Sequence, residues 1–102
     1  MQRLTQTQIR DTSTQAYHTL VEPHLGERQS TVLDLLFRTV NDLTNAEIAD
    51  LLDWPINCVT PRVYELRKMG FVEESRRRLC NVTRNAAYAW RVSREGLRKM
   101  RP

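Results

Sequence analysis

The chain has little of what marks a membrane, exported or disulfide-bonded protein. It contains no apolar run of about 18 residues, the length needed to span a membrane, and its N-terminus, MQRLTQTQIRDTSTQ, lacks the apolar segment of a signal peptide. We therefore expect a cytoplasmic protein with no membrane partner. Its two cysteines lie at distant positions and do not make a disulfide framework, which fits a reducing compartment.

Metal-binding and catalytic patterns are also missing. The possible metal ligands Cys58, Cys80, His18 and His24 include no C-x-x-C pair, so we expect no structural zinc and no cofactor. We find no Ser–His–Asp arrangement, glycine-rich phosphate loop or paired carboxylates in a plausible pocket, so we do not expect an enzyme. Cys80 lies among arginines, which favour a thiolate, and it is either a small loop residue or a redox sensor.

Basic residues are concentrated in the C-terminal part of the chain. Residues 1–60 contain four Arg and eight Asp or Glu, a balance of −4, whereas residues 61–102 contain twelve Lys or Arg and four Glu, a balance of +8. The two parts sum to the net charge of +4. This asymmetry indicates a polyanionic partner, most often nucleic acid, although a basic face that serves solubility is an alternative.

The first part of the chain is predicted to be helical after a polar arm. Residues 1–11 lack periodicity, and we expect them to form a flexible arm. A helix is predicted over Thr12–Val21 and a second one over Glu27–Val40. The second has apolar residues at the spacing of one buried stripe, namely Val32, Leu33, Leu36, Phe37 and Val40.

A short helix follows, with the clearest start signal in the chain. Thr44 and Glu47 have the T-x-x-E spacing of a capping box, in which each side chain bonds the other residue's backbone N–H. Leu43 and Ile48 are spaced for a hydrophobic staple around that box. A proline at position 55 then takes Trp54 out of helical geometry, so we expect a tight turn after this helix.

The next helix has a proline, Pro61, near its start. It begins between Asn57 and Pro61, with either Asn57 or Thr60 as the N-cap, and ends at Gly70. In both cases Pro61 falls in the first turn, where its missing N–H costs little. At about 100° per residue, three residues fall in a narrow arc that defines the core side. They are Val59, Val63 and Leu66.

The opposite side of this helix is the candidate DNA-reading surface. Its predicted contact residues are Asn57, Thr60, Pro61, Tyr64, Arg67 and Lys68. Their polar and cationic groups can bond base edges or phosphates, and a proline ring can meet a thymine methyl. Arg62 lies nearer the core side, and we expect its stem to pack there with its charge at the surface. A solvated face without a DNA role is the alternative.

Two strands, FVEE and YAWRV, are predicted after this helix. The segment between them, SRRRLCNVTRNAA, is long, polar and basic, so the strands and this loop make a wing. Four arginines of the loop are predicted to grip phosphates or enter a minor groove, namely Arg76, Arg77, Arg78 and Arg84. We expect Trp90 to face the core, Trp54 to cover the preceding turn, and residues 95–102 to form a basic tail with little to bury.

The order of elements predicts the fold class. A helix, a short helix, a tight turn, a longer helix and a hairpin make a mainly α domain with a small antiparallel β-hairpin. This is the α+β winged helix-turn-helix, and we expect it to cover residues 12–94.

The stretch TNAEIADLLDWPINCVTPRVYELRKMGFVEE resembles the MarR-type winged-helix proteins, and more closely the small single-domain versions of phages and prophages. The shared pattern, T-N-x-E-I-A-x-x-L-x-W-P-x-N-x-V-T-P-R-V-x-E-L-R-x-x-G, covers residues 44–70. In the wing, the resemblance continues at Arg78, Cys80, Thr83, Arg84 and Trp90. The resemblance covers about residues 28–92 and implies DNA binding, often in transcriptional control. Full-length regulators of this type have longer terminal helices for dimerisation, and this chain is short. It also has Asn85 near where a glycine is common.

We therefore expect sequence-specific binding of double-stranded DNA by a small transcriptional regulator of the phage or prophage type, located in the cytoplasm at the nucleoid. A homodimer formed through the helix at 12–21 would bind a palindromic site. Two other functions stay open: a protein–protein adaptor that captures a host protein, and an architectural or recombination accessory factor that bends DNA.

Overall fold

The computed structural model describes residues 25–100, which form four helices and three strands. They are α1 (Glu27–Arg38), β1 (Leu43–Thr44), α2 (Asn45–Leu52), α3 (Ile56–Lys68), β2 (Val72–Leu79), β3 (Ala86–Val92) and α4 (Arg94–Lys99). The predicted arm and the helix predicted over residues 12–21 lie outside the described residues. Of the helices between residues 25 and 100, none has the length and apolar character needed to cross a membrane.

Helix α1 buries most of its predicted stripe but ends two residues early. Gln29 starts the helix, because its side-chain oxygen accepts the N–H of Gly26 at 2.9 Å. Thr39 ends it by taking an extended conformation with ψ of 147°, while its N–H and hydroxyl both bond the Leu35 carbonyl. Val40 therefore lies beyond the helix and is 87% exposed, so its predicted place in the buried stripe is wrong.

Helix α2 begins with the predicted capping box. The Thr44 hydroxyl accepts the N–H of Glu47 at 3.2 Å, and the Glu47 carboxylate accepts the N–H of Thr44 at 3.0 Å. Ile48 is fully buried, and Leu43 packs against the cluster that contains it, as the predicted staple requires. Asp53 ends the helix in the left-handed conformation with φ of 59°. Trp54 packs against the core from the turn that follows.

Helix α3 begins at Ile56, one residue before the predicted range, and this changes the place of Pro61. Pro55 is the N-cap in an extended conformation, and its carbonyl accepts the N–H of Cys58 at 2.9 Å. Asn57 and Thr60 are therefore helical residues, and the prediction that either is the N-cap is wrong. Pro61 is the sixth residue of the helix, so it removes a hydrogen bond to Asn57 inside the helix.

Helix α3 ends at Lys68 with Met69 as its C-cap, and Gly70 closes it as predicted, in a turn that also receives α4. Gly70 has φ of 86°, its N–H bonds the Arg67 carbonyl, and the N–H of Phe71 bonds the Leu66 carbonyl. These two bonds are those of a Schellman motif. Ser93 then caps α4 and donates its hydroxyl to the Gly70 carbonyl at 2.6 Å, so α4 is joined to the end of α3.

Helix α4 occupies most of the segment that was expected to be a tail with little to bury. Met100, which follows it, is only 3% exposed and belongs to the core. Gly96 packs so closely on Phe71 that a Cβ built on it would lie 2.2 Å from the Phe71 carbonyl oxygen. The segment is therefore a packed part of the domain.

The hairpin is longer than predicted, and it belongs to a three-stranded antiparallel sheet in the order β1-β3-β2. β2 continues through the SRRRL segment, so only residues 80–85 connect it to β3. The prediction that Arg76, Arg77 and Arg78 lie on a loop is therefore wrong. A register shift between Glu74 and Arg76 leaves Ser75 as an extra residue in β2. The short strand β1 was not predicted.

The core lies between the three helices α1–α3 and the sheet. Its largest fully buried side chains include Phe71, Leu33, Ile48 and Leu66. Trp90 is 7% exposed on β3 and confirms the prediction that it faces the core. This core fixes α2 and α3 against the sheet and leaves the outer side of α3 and the end of the hairpin uncovered.

Candidate nucleic-acid interface

Helix α3 has one buried side and one exposed side, as its sequence predicts. The core side is confirmed, because Val59, Val63 and Leu66 are all buried. Pro61 is half-buried, and the other predicted contact residues are exposed, namely Asn57, Thr60, Tyr64, Arg67 and Lys68. One helix therefore presents an amide, two hydroxyls and two cations on a side that the core does not use.

The orientation of α3 is held by polar contacts with the two preceding helices. The Asn45 amide of α2 donates to the Thr60 hydroxyl at 3.4 Å. Gln29 of α1 donates to Glu65 at 2.8 Å, and Arg62 donates to the same carboxylate at 2.8 and 2.9 Å. The Arg62 charge is thus directed to Glu65. Bonds from Arg62 and Gln29 hold the pKa of Glu65 at about 2, so this carboxylate stays ionised.

Aromatic rings connect α3 to the wing. The Arg67 guanidinium lies 4.8 Å from the centre of the Trp90 ring, and that ring lies 6.3 Å from the ring of Tyr88. Arg77 of β2 lies over Tyr88 at 5.3 Å. These distances are those of cation–π contacts, which position the guanidinium groups without consuming their charge.

A similar contact on α3 places Lys68 at 5.7 Å from the ring of Tyr64, which is 57% exposed. We call the whole set the aromatic–cationic band, and it consists of Tyr64, Arg67, Lys68, Arg77, Tyr88 and Trp90. The sequence alone suggested neither the Arg67–Trp90 contact nor the role of Tyr88. The alternation of YAWRV could have shown that Tyr88 and Trp90 share a face of β3.

The cations of this surface differ in whether a carboxylate neutralises them. Among residues 25–100, ion pairs engage Arg38, Arg62, Arg76, Arg78, Arg91 and Lys99. In the same part of the chain no carboxylate pairs with Arg67, Lys68, Arg77 or Arg84. These four cations lie on α3 and the wing, so positive charge is available to a partner on this surface.

The four wing arginines occupy four different environments. Arg77 is exposed and stacked on Tyr88, and Arg84 is exposed in the turn with φ of 66°. Arg76 is 63% exposed and bonds Asp42 at 3.0 Å. Arg78 is only 17% exposed, and it pairs with both Asp42 and Glu47.

The partners of Arg78 form an ionised network at the base of the wing. Burial alone would raise the pKa of Asp42, but bonds from Ser75, Arg76 and Arg78 outweigh it and hold this pKa at about 2. Burial is likewise outweighed at Glu47, where bonds from Arg78 and from backbone N–H groups lower the pKa. The role of Asp42 was not predicted from the sequence, because nothing local connects it to arginines more than 30 residues later.

Cys80 lies beside this network rather than in an open loop. It is buried, and its sulfur lies 3.0 Å from the Thr44 hydroxyl. Burial alone would raise the pKa of the thiol, but bonds from Thr44 and Thr83 lower it. Cys58 lies half-buried on α3, and both cysteines are free. His18 and His24 lie outside the described residues.

A groove lies between β2, α2 and the α1–β1 connection. Its lining includes Asp42, Glu47 and Arg76 together with three exposed apolar residues. These are Val40, Leu79 and Val82. These three apolar residues do not belong to the surface predicted from the sequence, whereas Arg76 and Arg78, which also line the groove, do.

No protein-family model and no curated protein sequence matches this chain. Solved structures do match it. Lactococcus lactis ZitR, as the C30S mutant, has a TM-score of 0.59 and 20% identity, over 90% of this chain and 55% of that one. The PcaV transcriptional regulator from Streptomyces coelicolor, in complex with its natural ligand, has a TM-score of 0.60 and 18% identity, over 85% of this chain and 58% of that one.

The chain thus spans little more than half the length of these two solved proteins. At this level of identity the likeness concerns the fold. Together with the four helices and the three-stranded antiparallel sheet, it confirms the predicted α+β winged helix.

Proposed function

We propose that this chain binds double-stranded DNA sequence-specifically, with α3 in the major groove and the wing on the adjoining minor groove or backbone. The observation that carries the proposal is the exposed side of α3, where Asn57, Thr60 and Tyr64 lie beside cations that pair with no carboxylate of residues 25–100. An asparagine amide can bond adenine at two atoms, and hydroxyl groups can bond bases or phosphates.

The wing extends this surface. Arg77 and Arg84 supply charge for phosphates or a minor groove, and Arg67 bridges α3 to the sheet through Trp90. Arg76 is exposed enough to contribute after exchanging Asp42 for a phosphate, whereas Arg78 is already committed to two carboxylates. If four to eight phosphates are neutralised, the logarithm of affinity falls against the logarithm of salt with a slope of roughly −4 to −7.

The biological role in this proposal is that of a small transcriptional regulator of the phage or prophage type, acting in the cytoplasm at the nucleoid. The likeness to PcaV, which is described as a transcriptional regulator, supports the regulatory role. We also propose a homodimer that uses residues 12–21, because a two-fold dimer matches a palindromic DNA site. Analytical ultracentrifugation of the full chain and of a chain lacking residues 1–24 tests the dimer.

The DNA-reading surface is tested by titrating a labelled duplex obtained by selection from a random pool. The Tyr64→Ala, Lys68→Ala double variant removes a ring and a charge from the outer side of α3. We expect its affinity to fall by about a hundredfold, since two contacts are lost at roughly tenfold each. Arg98→Ala is the matched control, because it removes one charge from an exposed position on α4. Equal affinity of the double variant and the wild type would overturn the proposed surface.

A protein-binding function is the second candidate, and the groove beside the wing favours it. Val40 and Leu79 are 87% and 66% exposed there, and exposed apolar side chains that share a groove are typical of protein contacts. Such a contact keeps its affinity at high salt, whereas DNA binding weakens steeply. A Val40→Ser, Leu79→Ser variant that binds DNA like the wild type would separate the two surfaces.

A further inference from the structure

The consecutive residues Arg76, Arg77 and Arg78 of β2 lie in three different environments. Arg77 is exposed and lies over the ring of Tyr88, and Arg76 is largely exposed. Arg78 is the least exposed of the three, and its guanidinium makes five hydrogen bonds to the protein. A side chain with this many partners is poorly placed to leave them for a phosphate.

Arg78 joins the wing to residues on both sides of β1, namely Asp42 before it and Glu47 after it. Its guanidinium donates to the Asp42 carboxylate at 3.0 Å and to the Asp42 carbonyl at 2.9 Å. It also donates to the two oxygens of Glu47 at 2.7 and 2.9 Å. The pairing with Glu47 is two-pronged, which fixes the plane of the guanidinium as well as its position.

Glu47 also contacts the wing tip, which is the connection at residues 80–85, and the start of α2. Its carboxylate accepts the N–H of Asn81, in the connection between the strands, at 2.8 Å. The same carboxylate accepts the N–H of Thr44 in the capping box. The Glu47 side chain therefore contacts the start of α2, Arg78 near the end of β2, and Asn81 in the connection between the strands.

The sheet is shaped to allow this contact. Asp42 precedes β1, which pairs with β3 on the side away from β2, so Arg76 and Arg78 have to cross β3 to reach it. The residues of β3 opposite them are Ala89 and Ala87. Small side chains at these two positions leave room for the arginine stems.

We infer that Arg78 is a positioning residue which, through Glu47 and Asp42, fixes the angle between the wing and the helix pair and thereby places Arg77 and Arg84 for binding. This inference rests on the proposed DNA-binding function. Arg78 itself does not contact the phosphates. Its contribution to affinity comes from holding Arg77 and Arg84 in fixed positions relative to α3.

The Glu47→Gln variant distinguishes this role from a direct phosphate contact, because the two roles predict opposite changes in DNA affinity. Glutamine can still serve in a capping box, so the start of α2 is retained. If Arg78 bound a phosphate, removing the neighbouring negative charge would free it and tighten DNA binding. Positioning predicts weaker binding, by about tenfold, because one oxygen that holds the guanidinium is replaced by an amide donor. Unchanged or tighter binding would overturn the inference.

Arg78→Lys supplies the second measurement. Lysine keeps the charge but not the planar fork, so positioning predicts a loss similar to that of Arg78→Met. A phosphate contact would be largely retained by lysine, and Arg78→Met alone would then lower the magnitude of the salt slope by about 1. Lysine restoring wild-type affinity would contradict positioning.

A double-mutant cycle with Arg84→Ala completes the test. Once Arg78 is replaced by methionine, the wing tip is no longer held, so Arg84→Ala is expected to cost less than half the fold-change it costs in the wild type. An equal cost in both backgrounds would show that the two arginines act independently, and would overturn the inference.

Hydrogen exchange on the free protein separates this inference from the proposed function. We expect Arg78→Met to speed amide exchange at Asn81 and Arg84 by about tenfold, with no change at Val63 and Leu66 in the core side of α3. Equal exchange at the wing tip would refute the anchoring role even if the protein bound no DNA. A wild type that binds no selected duplex, with this exchange pattern present, would refute the DNA-binding proposal alone.

Discussion

Replacing Asp42 with asparagine is expected to remove much of the acid-sensitive stability of the domain. The Asp42 side chain is 6% exposed, and its partners hold its pKa at about 2, compared with 3.8 for a free aspartate. A lowered pKa in the folded state means that the folded protein favours the ionised form. The shift corresponds to stability on the order of 2 kcal/mol at neutral pH.

The pH window follows from the sign of the shift. Above about pH 4 the carboxylate is ionised in both states, and its full contribution is present. As the pH falls below 4, the unfolded chain takes up the proton first, so stability falls. The contribution is gone below about pH 2, where both states are protonated.

Urea unfolding of the wild type and of Asp42→Asn, at steps from pH 7 to pH 2, measures this contribution. The variant should be less stable at pH 7 by on the order of 2 kcal/mol, and the difference should shrink toward zero at pH 2. Glu73→Gln is the matched control, because the Glu73–Arg91 pair is exposed and is worth less than about 1 kcal/mol. A deficit of Asp42→Asn that is as large at pH 2 as at pH 7 would refute the reasoning.

Three further predictions concern the fold. Gly96→Ala should lower the free energy of unfolding by at least about 2 kcal/mol, because its Cβ would meet the Phe71 carbonyl; a wild-type melting temperature would contradict this close contact. Pro61→Ala should raise the free energy of unfolding by about 1–3 kcal/mol, because it restores a helical hydrogen bond; urea unfolding at pH 7 would show no gain if Pro61 lay in the first turn. Val40→Ser should change the melting temperature little, within about 0.5 kcal/mol, whereas a large loss would show that Val40 is buried in solution.

The features that the sequence predicted correctly are mostly local. The capping box depends on residues three apart, and the buried side of α3 depends on the helical period. Gly70 ends α3 because the left-handed conformation there favours glycine. In each case the signal lies within one or two turns of the element it specifies, so no knowledge of the tertiary fold is required.

The features that the sequence missed depend on distant partners. The SRRRL segment has the composition of a loop, but Asp42 and Glu47 neutralise Arg78 from 36 and 31 positions earlier and allow β2 to continue. Strand β1 has two residues and exists only because it pairs with Trp90 and Ala89. The burial of Met100 requires the close approach of Gly96 to Phe71, which no local pattern indicates.

We propose that the exposed side of α3 reads a DNA sequence. It is tested most directly by competing the duplex selected from a random pool against a scrambled duplex of the same composition, at one fixed salt concentration. We expect the wild type to prefer the selected duplex by about a thousandfold or more, and Asn57→Ala to reduce this ratio of affinities. Equal affinity for the selected and the scrambled duplex would contradict it.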